Sequence, residues 1–344
     1  VSAPAPDAPA TRRSGAIIRV AIIVAALGAG LALFTDVRAV GDALAAFDWR
    51  LTPVMLLLVL WNYAFRFARW DRYLLAIEVP RIDRVTSALI FVSAFAMALT
   101  PAKVGEVVKA LHVRRATGVP VARTGAVIAA ERITDGLAMV VLAVIGLVQF
   151  SYGRPFVGLF AAGSILLVVL LRKPRLIDLF LDRIAAHDRF ENAVRHARGF
   201  LDASTALYTG RRLGMGIGYG VLGWAGECAA CYVVLRGLGV PGGLDLLLIA
   251  TFTLAVASLA GAASMIPGGL GVADASVAAI LLLLVDAPAM DRTVAAAATL
   301  LVRFATLWFA VILGIVASIV VERRLARMTF PATAPDPGAD VRAR

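Results

Sequence analysis

The sequence predicts an all-α, polytopic membrane protein with about six full spans and two broken, re-entrant hairpins. Three observations predict it. Hydrophobic residues make up 60% of the 344 and charged residues only 17%, so the surplus apolar surface must face lipid. Apolar runs of helix-spanning length recur along nearly the whole chain. Two further apolar stretches, 85–112 and 244–285, are interrupted in the middle by Pro and Gly, as in chains that enter a bilayer and turn back inside it.

Each element follows from length and charge, since a crossing helix needs about twenty apolar residues. Residues 1–15, rich in Ala, Pro and charge, read as a disordered tail. Span 16–35 is interrupted by Arg19 and followed by no clear cleavage site, so it reads as a retained first helix. Arg12, Arg13 and Arg19 place the N-terminus in the cytoplasm, and the loop 36–50 outside. Span 51–72 returns to Arg66, Arg69, Arg72, Arg81 and Arg84 inside. A full crossing over 85–100 would strand Lys103, Lys109, Arg114, Arg115 and Arg123 outside. A hairpin turning at Pro101 and Gly105 keeps them cytoplasmic. Span 125–150 then exits and 156–171 returns.

The basic stretch 172–212 is expected in the cytoplasm, with Leu176, Ile177, Phe180 and Ile184, then Phe190, Val194 and Leu201, on helices lying along the membrane surface. Span 213–236 exits and 294–320 returns, so 244–285 is a second hairpin entering from the opposite face. A single membrane domain, 16–322, is followed by a basic, disordered tail, 323–344. Both termini are cytoplasmic, and the expected location is the plasma membrane.

The net charge of +11 is explained by basic cytoplasmic loops, and with no separate basic module nucleic acid is not an expected partner. Cys228 and Cys231 lie in an apolar helix without further ligands, so they read as small packing residues, and no metal or cofactor is expected. His112, His187 and His196 fall in or near basic cytoplasmic segments and read as solvated.

The two hairpins resemble each other. The first turn reads Thr100-Pro101-Ala102-Lys103-Val104-Gly105 and the second Ile266-Pro267-Gly268-Gly269-Leu270-Gly271. Each proline stands the same distance beyond the end of a full helix (Trp70 to Pro101, Arg236 to Pro267), and each hairpin precedes a helix with an internal arginine, Arg132 or Arg303. The preceding helices run in opposite directions, so the pattern is an inverted-topology repeat, an arrangement that places binding sites where broken helices meet.

Ionisable groups inside a bilayer persist where they pair or line a polar cavity. Asn62, Arg66, Arg69 and Tyr73 form one helical stripe, and Thr299, Arg303 and Thr306 another. Glu131 and Asp135 stand one turn apart with Arg132 beside them. Glu106 and Lys109 flank the first turn, and Asp274 follows the second. Glu227 lies in a helix whose Gly214, Gly216, Gly218, Gly220 and Gly223 permit close packing. Guanidinium forks suit phosphate oxygens, and exposed N–H groups at Gly105 and Gly271 would favour an anion. Plainer readings stand beside these: Arg66, Arg69 and Arg72 snorkel to the surface, or Glu131 and Arg132 form a structural pair.

Together, Asn62-x-x-Phe65-Arg66-x-x-Arg69-Trp70, the run Pro101 to Lys109, Glu131-Arg132-x-x-Asp135 and Pro267-Gly268-Gly269-Leu270-Gly271 resemble the lysylphosphatidylglycerol synthase transmembrane, or flippase-like, family over roughly 16–322. The resemblance implies movement of lipids or lipid-linked products between leaflets. Two positions depart from the family's pattern: Asp274 where Glu is usual, and Lys103 where Arg is common. No aminoacyl-transferase or glycosyltransferase domain is fused within these residues, so synthase chemistry is not implied.

The expected function is translocation of an anionic phospholipid or lipid-linked intermediate, without enzymatic chemistry. Arg66, Arg69, Lys103, Lys109, Arg132 and Arg303 are the expected head-group contacts, with Gly105, Gly268, Gly269 and Gly271 at the turns. Glu106, Glu131, Asp135, Glu227 and Asp274 balance or couple these charges. The alternatives are a non-catalytic partner of a lipid-modifying enzyme and a membrane-embedded polyprenyl-phosphate transferase. For the transferase, the sequence shows no nucleotide loop, metal cluster or paired nucleophile and base.

Overall fold

Pro53 near its start and a long apolar run build helix α2, Thr52–Ala76, ahead of which a short helix α1, Val37–Ala46, occupies part of the expected outer loop. The computed structural model describes residues 37–100, 105–147, 154–171 and 191–327. The expected span 16–35, the tail 1–15, Lys103, and residues 172–190 and 328–344 lie outside the described residues. Asp83 caps α3 (Arg84–Ser93) by accepting the Thr86 N–H, and a 3-10 turn, Ala94–Met97, extends it. Then follow α4 (Val107–Thr117), ended by Gly118 in the left-handed region, and α5 (Val121–Leu147). Helices α6 (Arg154–Leu171) and α7 (Glu191–Leu207) lead into the second half. There lie α8 (Gly210–Gly237), α9 (Leu244–Ala263), α10 (Val272–Leu284), α11 (Arg292–Arg303), a π-helical turn Phe304–Trp308, and α12 (Phe309–Arg327).

No strand occurs among the described residues. Among the described residues, five segments are long and apolar enough to cross a membrane: Trp49–Ala76, Gly210–Gly237, Leu244–Ala263, Pro267–Leu284 and Arg292–Arg327. Helix α5, with 27 residues, also has the length, at about 1.5 Å per residue, but carries Glu131, Arg132 and Asp135 within it. The chain is an all-α, multi-pass integral membrane protein.

The two halves pack reciprocally. Helix α2 lies along its counterpart α8, while α5 of the first half packs on α9 of the second and α12 of the second packs on α3 of the first. Gly226 of α8 faces Leu58, Gly223 faces Asn62, Gly220 faces Arg69 and Gly216 faces Tyr73. One number rises as the other falls, so the equivalent helices run antiparallel, as inverted repeats require. The close approach depends on those glycines: a Cβ on Gly226 would stand 2.6 Å from the Leu58 carbonyl oxygen, while one on Gly220 would stand 2.7 Å from Ala138 Cβ of α5, which packs on the same helix. Gly214 and Gly218 meet nothing within 4 Å and take no part. Cys228 and Cys231 are free thiols buried in α8.

The second hairpin breaks at the Pro267 turn, as expected, and its arms α9 and α10 have 20 and 13 residues, longer than the 10 and 11 of the first. Two expectations need correction. The final helix runs to Arg327, with Val321 and Leu325 buried, so residues 323–327 are helix and not tail. Helix α7 does not expose its apolar face to the membrane surface. Val194, Leu201 and Leu207 are buried, and the helix packs on α5.

Candidate functional site

The charged residues of α5 diverge because successive helical residues point about 100° apart. Glu131 faces α4 and accepts Lys109 Nζ at 2.6 Å, with Lys109 2% and Glu131 0% exposed. Asp135 faces α2 and accepts Arg69 Nη2 at 2.7 Å and the Trp224 indole N–H at 3.2 Å. Arg132 points between them, its Nη2 3.1 Å from Asp135 and its Nε 3.5 Å from Glu106. The alternative reading of Glu131 and Arg132 as a structural pair is not seen among the contacts described. Arg69 is sealed from solvent and also donates to Thr134 Oγ1 at 3.1 Å. Lys109 sits over the rings of Trp70 and Phe91, at 4.8 and 5.3 Å. Arg66 and Arg69 are buried within the protein and do not snorkel, while Arg72 is exposed, over Tyr219.

In front of this cluster is a cavity of about 400 Å³. Helix α2 supplies Tyr63 and Arg66 to its wall, the first hairpin Phe95 and Glu106, and α5 Arg132 and Asp135. Helix α8 adds Trp224 and Glu227, and the second half Gly268, Gly269, Asp274, Arg303 and Thr306. Arg66 approaches Asp135 only to 4.0 Å, held between the rings of Phe95 and Trp224. The second turn meets the residues that lead into the first, since a Cβ on Gly268 would stand 3.1 Å from Leu99 Cδ2.

The second turn is shaped by glycine and pinned by arginine. Gly268 and Gly269 adopt φ of 62° and 64°, a left-handed region that L side chains disfavour. Arg303 donates to the Gly268 and Gly269 carbonyls at 3.2 and 3.3 Å and, through Nε, to Asp274. Asp274 also accepts the Gly271 N–H at 2.8 Å, so one carboxylate ties the start of α10 to α11. The π turn follows Arg303 directly, and its Thr306 carbonyl accepts the Tyr63 hydroxyl at 3.1 Å.

The arrangement gathers most of the residues singled out from sequence. Arg66, Arg132, Arg303, Glu106, Asp135, Glu227, Asp274, Gly268 and Gly269 border one cavity. Arg69, Lys109 and Glu131 stand behind its wall as supports, while Gly105 spends its N–H on Thr100 Oγ1 at 2.9 Å. Tyr63 and Trp224 were not foreseen, because an aromatic residue on an apolar helix carries no signal of a polar role. His112, expected in solvent, is 4% exposed and bonds Ser93 and Glu322.

The family model described as the lysylphosphatidylglycerol synthase TM region matches residues 16–314, covering both repeats and the whole cavity. The chain belongs to this family. No curated protein matches the sequence. The lysylphosphatidylglycerol synthase transmembrane family name points to a role with membrane lipids, consistent with a polar cavity enclosed by membrane helices.

Proposed function

We propose that the protein translocates an anionic phospholipid or lipid-linked intermediate between leaflets, binding its head group in the cavity between the two hairpin turns. The observation that carries this reading is a pair of cavity-lining guanidinium groups with incomplete hydrogen bonding. Arg66 Nε makes no hydrogen bond among the described residues, and Arg132 Nη2 and Nε meet Asp135 and Glu106 as ion pairs at 3.1 and 3.5 Å without hydrogen-bond geometry, although an unsatisfied buried donor costs about 1–3 kcal/mol. A phosphate between Arg66 and Arg132 supplies acceptors for them in the forked geometry that guanidinium favours. The inverted repeat offers a means of alternating access, with each half rocking about the shared site.

The proposal extends to setting. The proposed setting is the plasma membrane with both termini in the cytoplasm, a reading supported by the basic loop segments. The partner is a membrane lipid, and no covalent chemistry is assigned to the cavity.

The test is mass spectrometry of lipids that co-purify with mildly solubilised protein, comparing wild type with Arg66→Ala and Arg132→Ala. An anionic lipid enriched in wild type and lost from both variants is the expected result. Lipids matching the bulk membrane in all three samples would overturn the reading.

A further inference from the structure

We propose that the Tyr63 hydroxyl is a head-group contact that exchanges partners on binding: it leaves the Thr306 carbonyl for a phosphate oxygen and so releases the π turn that follows Arg303. This rests on the lipid reading of the cavity and adds to it the step by which the ligand unlocks the second repeat.

The π turn creates the need for Tyr63. The Phe309 N–H bonds the Phe304 carbonyl, five residues back, and such a turn inserts one residue into an otherwise α-helical ladder. One carbonyl of the turn is then left without an amide donor from its own helix, a costly state inside a membrane. The Tyr63 hydroxyl, reaching over from α2 of the other repeat, donates to the Thr306 carbonyl at 3.1 Å. The Thr306 side chain does not serve this purpose, because its own hydroxyl donates to the Val302 carbonyl at 2.8 Å.

Tyr63 is also placed to meet the ligand. It is 7% exposed and, like Thr306, borders the cavity. Arg66 stands one turn further along the same face of α2. Both flank one ring, since the Phe95 centroid lies 4.8 Å from that of Tyr63 and 5.5 Å from Arg66 Cζ. A phosphate drawn to Arg66 therefore arrives on the helix face that carries the phenol.

A phenol has one proton to donate. Given to a phosphate oxygen, it makes a charge-assisted bond that is stronger than its bond to a neutral carbonyl, so a bound phosphate wins the exchange. The ring keeps its seat against Phe95 and Phe309, at 4.8 and 6.4 Å, and the hydroxyl turns. Thr306 then loses its donor and the π turn its brace. Arg303 is the residue just before that turn, and it bonds the Gly268 and Gly269 carbonyls and Asp274. Loosening the turn frees the end of α11 and the second hairpin turn to move together.

The experiment is hydrogen–deuterium exchange of the full chain in detergent, with and without saturating short-chain phosphatidylglycerol. It is read on the peptide spanning 304–312, with affinities measured by calorimetry on the same preparations. In wild type the lipid is expected to speed exchange there by about fivefold, the scale of one lost hydrogen bond. Tyr63→Phe keeps the ring and removes the proton. Its exchange is expected to be fast already without lipid and to gain nothing on binding, with affinity about five- to tenfold weaker than wild type. A Tyr63 that only braces the helix would give the same fast baseline in the variant, but lipid would leave wild-type exchange unchanged or slow it. That result would overturn the exchange of partners while leaving the lipid reading standing, and the wild-type arm delivers it even if Tyr63→Phe fails to fold. Equal affinities in wild type and folded Tyr63→Phe would overturn the head-group contact. Failure of wild type to bind the lipid would remove the reading of the cavity and the exchange together.

Discussion

Arg69 of α2 and Asp135 of α5 form a 2.7 Å ion pair in which the arginine side chain is fully buried. Arg66, one turn earlier on the same stripe, reaches the same carboxylate only at 4.0 Å and borders the cavity. Adjacent turns of one helix thus carry an arginine spent on a buried ion pair and one that borders the cavity. Removing one partner of a buried pair costs about 3–5 kcal/mol, so Arg69→Leu should lower the thermal midpoint of the detergent-solubilised protein sharply. Arg66→Ala should leave the midpoint much closer to wild type. Its effect should fall on lipid affinity, reduced about ten- to hundredfold by loss of a charge-assisted hydrogen bond. Equal destabilisation by both substitutions would erase the distinction.

The antiparallel pair α2 and α8 sets the distance between the two repeats, and Gly226 is its tightest point against backbone: a Cβ there would stand 2.6 Å from the Leu58 carbonyl. A carbonyl in a helix cannot rotate away as a side chain does. Gly226→Val should therefore force the helices apart, at a cost of about 1–3 kcal/mol or more. Gly218, in the same helix, meets nothing within 4 Å. Gly218→Ala should be neutral or stabilising by up to about 1 kcal/mol, since Gly is a poor helix former. Paired thermal melts of the two variants decide the matter, and similar melting would disprove the packing account.

Legibility in the sequence followed the range over which a pattern acts. The stripe of Asn62, Arg66, Arg69 and Tyr73 was readable because helical period alone puts these residues on one face. The repeat was readable because equal spacing survives in Pro101 and Pro267. Pairings between helices were not. Glu131 neighbours Arg132 in sequence but bonds Lys109 on another helix, a choice made by packing. Trp224 gave no sign that its indole would serve Asp135, and the surface reading of His112 failed because Glu322 comes to it from 210 residues away.

Asp83 offers a pH-dependent check on the first hairpin. It caps α3 through the Thr86 N–H at 3.0 Å and meets Arg324 of α12 at 3.2 Å. Hydrogen bonding to Thr86, with Arg324 beside it, holds its carboxyl below the ordinary value of 3.8. A lowered carboxylate value means that the stabilisation is present above the unfolded-state value and lost as pH falls through the lower folded one. At neutral pH Asp83→Ala should cost about 0.5–2 kcal/mol, as for other N-caps, toward the low end because the side chain is 43% exposed. The gap between wild type and variant should close on acidification. A gap that is unchanged in acid would show that the cap does not depend on the carboxylate charge.

Asp274 is the joint between the second turn and α11, since it holds Arg303 with one oxygen and the Gly271 N–H with the other. Asp274→Ala removes both links and leaves Arg303 bonded only to the carbonyls of Gly268 and Gly269 among the contacts described. The guanidinium, 19% exposed on the cavity side, then becomes available to a phosphate. Two effects should separate. Affinity for an anionic lipid should rise, because a carboxylate that competed for Arg303 is gone. Translocation in reconstituted vesicles should fall, because the turn that must move with α11 is no longer coupled to it. Asp274→Glu, which restores charge with a longer reach, should recover part of the transport and return affinity toward wild type. Calorimetry and a fluorescent-lipid translocation assay read the two quantities on the same preparations. If affinity and translocation decline together in Asp274→Ala, Asp274 positions Arg303 for the head group instead of competing for it; if neither changes, the Asp274–Arg303 pair is a packing feature outside the transport cycle.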